Sequence, residues 1–202
     1  MKRLSFLFIF LSVISVFPNA FAFNDTKTHP KLTTFAFETS RTGKESYFQN
    51  HLFLKNGSDT IIVGNKLIDW IKHGAQMEDN PPCRASNHFH NPYLDWTASG
   101  LTDTWWLTDW WCWSTSPYPP EEIKSNVTWA TGYDKRGYID PDSDVSEVNA
   151  WDWESARSYF YTYLTGLDSS NGQLIASDEQ TRNLYLADTL RATGHVMHLL
   201  QD

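Results

Sequence analysis

The chain has 202 residues, with 16 Lys and Arg against 24 Asp and Glu, a net charge of −8 with histidines neutral. That acidic balance argues against a stable complex with nucleic acid or broad binding to anionic membrane, although a bound metal ion can still supply positive charge locally. No GxSxG, Walker A or GxGxxG pattern occurs, which excludes serine-hydrolase and simple nucleotide-binding readings.

The N-terminus reads as an export signal. Lys2 and Arg3 form a charged start, Leu4 to Phe17 an apolar run, and Ala20-Phe21-Ala22 a small-residue cleavage site. The run is shorter than the about 20 residues a membrane span needs. Cleavage after Ala22 makes Phe23 the new N-terminus and the protein secreted or periplasmic. Residues 23–202 then carry 14 basic and 24 acidic side chains, net −10, in a length sufficient for one domain with its own core. Cys83 and Cys112 form no CxxC pair, and in an exported protein they predict one structural disulfide.

From about 27 to 80 the pattern is helical. Thr28 is placed as the N-cap with Pro30 in the first turn, and Leu32, Phe35, Ala36 and Thr39 follow at helical spacing. A second periodic run, Ile61 to Ile71, carries Ile62, Leu67, Ile68 and Ile71 and ends near Gly74. The middle, 80–150, is irregular, and 93–150 reads as a loop insertion rich in tryptophan, including Trp96, Trp105, Trp106, Trp110, Trp111, Trp113 and Trp129. The aromatics at 105–113 read first as a folded insertion packing on itself and second as a membrane-surface or carbohydrate-stacking patch. Asp140-Pro-Asp142-Ser-Asp144 lacks the glycine and glutamate of a calcium loop and reads as an acidic turn.

Helix returns at Trp151 to Leu164, where Trp153, Ala156, Phe160 and Leu164 make a stripe and Gly166 a C-cap. Ser177-Asp178-Glu179-Gln180 opens a longer helix. Along it Ala187, Leu190, Gly194 and Met197 form an apolar stripe, and Arg191, His195, His198 and Asp202 a polar one. A solvated face more often carries Lys and Glu than two imidazoles. The fold class expected is all-α.

His198 and Asp202, four apart on a helix, share a face with Cβ atoms about 6 Å apart and can bind one divalent metal ion. Three further candidates lie upstream: His29, Asp79 at the end of Gly74-Ala-Gln-Met-Glu-Asp79, and His88 at the start of His88-Phe89-His90-Asn91-Pro92. Singly they have plain structural readings, as a helix-cap residue, a turn residue and a half-buried histidine. His195, His90 and His73 read as supporting or core histidines rather than ligands.

Taken in order, these segments resemble the zinc-dependent phospholipase C and S1/P1 nuclease superfamily of exported all-helical enzymes. Thr28-His29 with Leu32 and Ala36 is similar to its N-terminal histidine helix. Gly74 with Asp79, then His88-Phe89-x-Asn91-Pro92, match its aspartate and following histidine. Gly194-x-x-x-His198-x-x-x-Asp202 matches its central helix, and Trp151-x-Trp153 with Ala156-Arg157 and Tyr159-Phe160 a helix of bacterial relatives.

The resemblance implies that Asp79, His88, His198 and Asp202 hold one zinc. His29 and Asp202, with the amino and carbonyl groups of Phe23, hold another. Zinc-activated water would attack phosphorus, with Asp79 as the catalytic carboxylate that orients it. Phe23 stands where the family has tryptophan, but only its backbone ligates. The family's remaining ligands, a Pro-x-His and then a His with a carboxylate four residues on, have no counterpart before Asp202. The chain is therefore expected to be an N-terminal portion of a three-zinc enzyme, inactive as it stands. The function implied is phosphodiester hydrolysis, phospholipase C-like, with an S1/P1-type nuclease as the alternative. A non-catalytic secreted binding protein using the Trp-rich loops is the rival from another class.

Overall fold

A computed structural model describes residues 27–40, 47–79, 87–94, 99, 125–132 and 149–202. The segment 1–22 read as an export signal, Phe23, both cysteines, the tryptophans at 96 and 105–113 and residues 140–144 read as an acidic turn lie outside the described residues. Those described are mostly helical: α1 Thr28–Thr39, α2 Tyr47–Asn50, α3 Leu67–Met77, α4 Asn126–Thr131, α5 Trp153–Thr165 and α6 Glu179–Leu199. A two-stranded antiparallel hairpin, β1 Ile61–Ile62 and β2 Asn65–Lys66, precedes α3. No described helix is long and apolar enough to cross a membrane.

The hairpin replaces the first turns of the helix expected from Ile61. Val63 and Gly64 both have positive φ, 48° and 83°, which gives the two-residue turn that pairs Ile62 with Asn65. Helical periodicity could not reveal this, because Ile62 and Leu67 are buried whether 61–66 is coiled or extended. From Leu67 onward the helix forms as expected, and it runs through Gly74 to Met77.

In α1 the inward face also differs from expectation. Leu32 and Phe35 are exposed at 42% and 66%, whereas His29, Thr33 and Phe37, spaced by four, are buried. Two of those three are polar, so an apolar count picks the wrong face. The helix begins at Thr28, with Lys27 at the cap position and no side-chain cap bond. Helix α5 is bounded by sequence as expected at its end, Gly166 at φ 76°, and starts from Asp152, whose carboxylate accepts from Ser155 N at 2.7 Å. Its Trp153 and Leu164 are exposed, and Ala156 and Thr162 are the buried positions. Within the span read as an insertion, α4 is an ordered helix capped by Ser125, and its Trp129 packs with Ala130 and Leu199.

The main core joins Phe37, Phe48, Ile62, Leu67, Ile71, Leu186, Ala187 and Leu190. Each large side chain fully buried there contributes about 1.5–3 kcal/mol of apolar transfer. The seam between α3 and α6 is closest at two glycines. A Cβ on Gly74 would stand 1.9 Å from Arg191 O, and one on Gly194 2.0 Å from Ile71 O. With hydrogen at both positions the backbones touch, which brings the end of α3 beside the last turns of α6.

Candidate metal centre

That crossing places the Glu78-Asp79 pair, just past α3, against His195 and His198 of α6. The loop carrying His88 and the start of α1 carrying His29 complete the cluster. His29, His88, His195, His198 and Glu78 are all buried. Two overlapping sets have ligand atoms within 4.8 Å of one another, His29 with His198 and Asp202, and Asp79 with His88 and His198. Either set could hold a metal ion.

Asp202 lies three residues past the end of α6, where the expectation kept it on the helix. It nevertheless reaches both sets. Its Oδ2 is 2.7 Å from His88 Nδ1 and 3.2 Å from His198 Nε2, and its Oδ1 is 3.6 Å from His29 Nε2. Asp79 closes the other side, with Oδ1 3.6 Å from His88 Nδ1 and Oδ2 3.6 Å from His198 Nε2. The His29 and His198 rings stack at 3.7 Å between centroids.

Hydrogen bonds decide how two of the rings face. His198 Nδ1 lies 2.6 Å from Ala75 O, a group that only accepts, so Nδ1 carries a proton and donates it. Nε2 is then left facing the carboxylates of Asp79 and Asp202, and it is buried without a hydrogen-bond partner among the described residues. His29 Nδ1 donates to Gln201 Oε1 at 3.0 Å, and Gln201 Nε2 donates to Thr33 Oγ1 at 2.9 Å, which points His29 Nε2 at Asp202. An imidazole nitrogen facing two carboxylates is a donor set that could hold a cation.

Without a metal, protons take the cation's place. Burial works to lower the pKa of His88, but the contact with Asp202 and the charges of Glu78 and Asp202 outweigh it and raise the ring to about 9. Burial works the other way on Asp202, and its contacts with His198 and His88 hold the carboxyl well below the usual range.

Of the candidates read from the sequence, His29, Asp79, His88, His198 and Asp202 come together, and Phe23 falls outside the described residues. His195 joins neither set; its Nδ1 bonds Glu78 Oε2, as befits a supporting histidine. His73 sits on the exposed side of α3, edge-on to Trp70, and His90 also stays apart from both sets. Sequence reasoning missed Glu78, Gln201 and Trp129. Glu78 is fully buried and accepts from Trp129 Nε1 at 2.8 Å. The only sequence signal for Glu78 and Gln201 is adjacency to Asp79 and Asp202. Trp129 gave none, being one tryptophan among ten.

No protein-family model, curated protein or solved structure matches the chain.

Proposed function

We propose that this chain carries zinc ligands of an exported phosphoric ester hydrolase with the all-α fold of the phospholipase C and P1 nuclease group. His198 carries the reading: with Nδ1 committed to Ala75 O, its Nε2 is buried between two carboxylates and without a hydrogen-bond partner among the described residues. Neutral imidazoles with carboxylates are a donor set that suits zinc. Asp79, His88, His198 and Asp202 would hold one ion. His29 and Asp202 would contribute to a second, completed by the terminal amino and carbonyl groups of Phe23.

Zinc bound there supplies a nucleophile near neutral pH by acidifying water, and positive charge opposite the phosphoryl oxygens. The residues do the rest. Gln201 and Ala75 orient His29 and His198, and Asp202 spans the two positions. Asp79, partly open to solvent, would orient the attacking water. A phospholipid fits the acidic balance of the chain better than a polynucleotide.

The test is zinc per chain, by elemental analysis of the exported protein purified without chelator, beside His198→Ala. One to two zinc ions are expected in the wild type, one per ligand set, and fewer in the variant. A folded wild-type chain without zinc refutes the reading. Binding to phosphatidylcholine vesicles against single-stranded DNA then separates the two substrate classes.

A further inference from the structure

Glu78 belongs to neither ligand set, yet it is the most enclosed carboxylate of the site. Its Oε1 accepts from Trp129 Nε1 of α4 at 2.8 Å, and its Oε2 is bonded by His195 Nδ1 of α6. The His195 ring is stacked on Trp151 at 5.5 Å, and the Arg191 guanidinium lies over Trp151 at 4.0 Å. Helices α4 and α6 thus grip one carboxylate at the end of α3. Desolvating such a charge costs several kcal/mol even in a favourable setting. Two hydrogen bonds offset part of that cost, and they also fix where the charge sits.

It sits behind His88. His88 Nε2 is 3.7 Å from Glu78 Oε1, a charge contact rather than a hydrogen bond, and that nitrogen is buried with no other partner among the described residues. The opposite ring nitrogen, Nδ1, faces Asp202 at 2.7 Å and Asp79 at 3.6 Å. A ring whose one edge faces a fixed carboxylate presents its other edge to the metal, the arrangement by which outer carboxylates orient ligating histidines.

We infer that Glu78 is a positioning residue, anchored by Trp129 and His195, that turns the Nδ1 edge of His88 toward the metal. The inference rests on the zinc reading above. It adds which nitrogen of His88 ligates and which residue sets that choice.

Cobalt(II) titration of the metal-free full chain, followed by visible absorption, tests it in the wild type, Glu78→Gln and Trp129→Phe. Glutamine keeps the shape of Glu78 but carries no charge and has one accepting oxygen where Glu78 has two. Trp129→Phe removes one anchor and leaves the charge in place. Glu78→Gln should weaken cobalt binding about 10- to 100-fold and alter the absorption bands, whereas Trp129→Phe, which keeps the charge and the His195 bond, should weaken it by less than about tenfold. A purely structural role would instead lower affinity in both variants in step with their thermal midpoints.

A second measurement needs no variant. In the zinc-loaded wild type with 15N-labelled histidine, the ring shifts of His88 should report metal at Nδ1 and a proton at Nε2. Metal at Nε2, or Glu78→Gln binding cobalt like the wild type, overturns the inference and leaves the zinc reading intact. Absence of any cobalt or zinc binding by the wild type overturns both.

Discussion

Replacing Gly194 by alanine tests the helix crossing on which the whole site depends. Elsewhere in a helix this change stabilises by about 1 kcal/mol, because glycine is the poorer helix former. Here the new Cβ would lie 2.0 Å from Ile71 O and 2.9 Å from Ala75 N, against an ordinary contact of 3.4 Å or more. The obstruction is backbone, so no side chain can rotate away, and α3 and α6 must part by more than an ångström. Overpacking of this kind costs about 1–3 kcal/mol, with the upper end apt for a backbone clash. Stretching the 2.6 Å bond from His198 to Ala75 O adds about 1 kcal/mol. After subtracting the propensity gain, we expect a net loss of about 2–3 kcal/mol. Urea unfolding followed by circular dichroism, with metal chelated, should show the midpoint falling by about 1 M for a slope near 2 kcal/mol/M. Thr193→Ala, one residue earlier on another face of α6, is the control and should change little. Zinc affinity should fall with stability, since Asp79 follows α3 whereas His198 and Asp202 belong to the end of α6. A Gly194→Ala chain as stable as wild type would refute the close crossing and the site geometry built on it.

Metal binding should depend on pH through His88. Its pKa in the metal-free fold is raised to about 9 from the ordinary 6.5, so the protonated ring contributes stability that is full below 6.5 and lost as pH rises through 9. A metal must displace that proton. Zinc affinity should therefore climb about tenfold per pH unit from 7 towards 9 and then level off, and calorimetry in two buffers should count close to one proton released per ion at pH 7. Gln201→Ala removes the acceptor that orients His29 and should weaken the zinc position that uses His29 about tenfold, leaving the other within error in a two-step chelator competition. Val63→Asn should raise stability by about 1 kcal/mol in thermal melts, because a β-branched residue at φ 48° is strained and asparagine tolerates that region. Asp152→Ala should cost about 1 kcal/mol by removing the cap on Ser155 N.

Local chemistry made several features legible in the sequence. Gly166 ends α5 because the left-handed cap favours glycine, and Asp178 opens α6 by accepting from Thr181 N at 2.8 Å. The pair His198 and Asp202 pointed to a cation because four residues is one helical turn, and the two groups stay within 3.2 Å even though the helix ends between them. The imidazole stripe on α6 marked the face that becomes the site, although burial was not foreseen and His195 and His198 are among the most enclosed side chains.

What tertiary structure decided were the matters of which side faces which neighbour. The inward face of α1 is set by His29, Thr33 and Phe37 because Gln201, 168 residues beyond Thr33, bonds two of them. Glu78 and Asp79, alike in type and adjacent in sequence, part at the end of α3. One is sealed against Trp129 and His195, and the other stays partly open beside the ring nitrogens of His88 and His198. A polar residue's role depends on what meets it across the chain. Spacing along one helix records only which residues share a face.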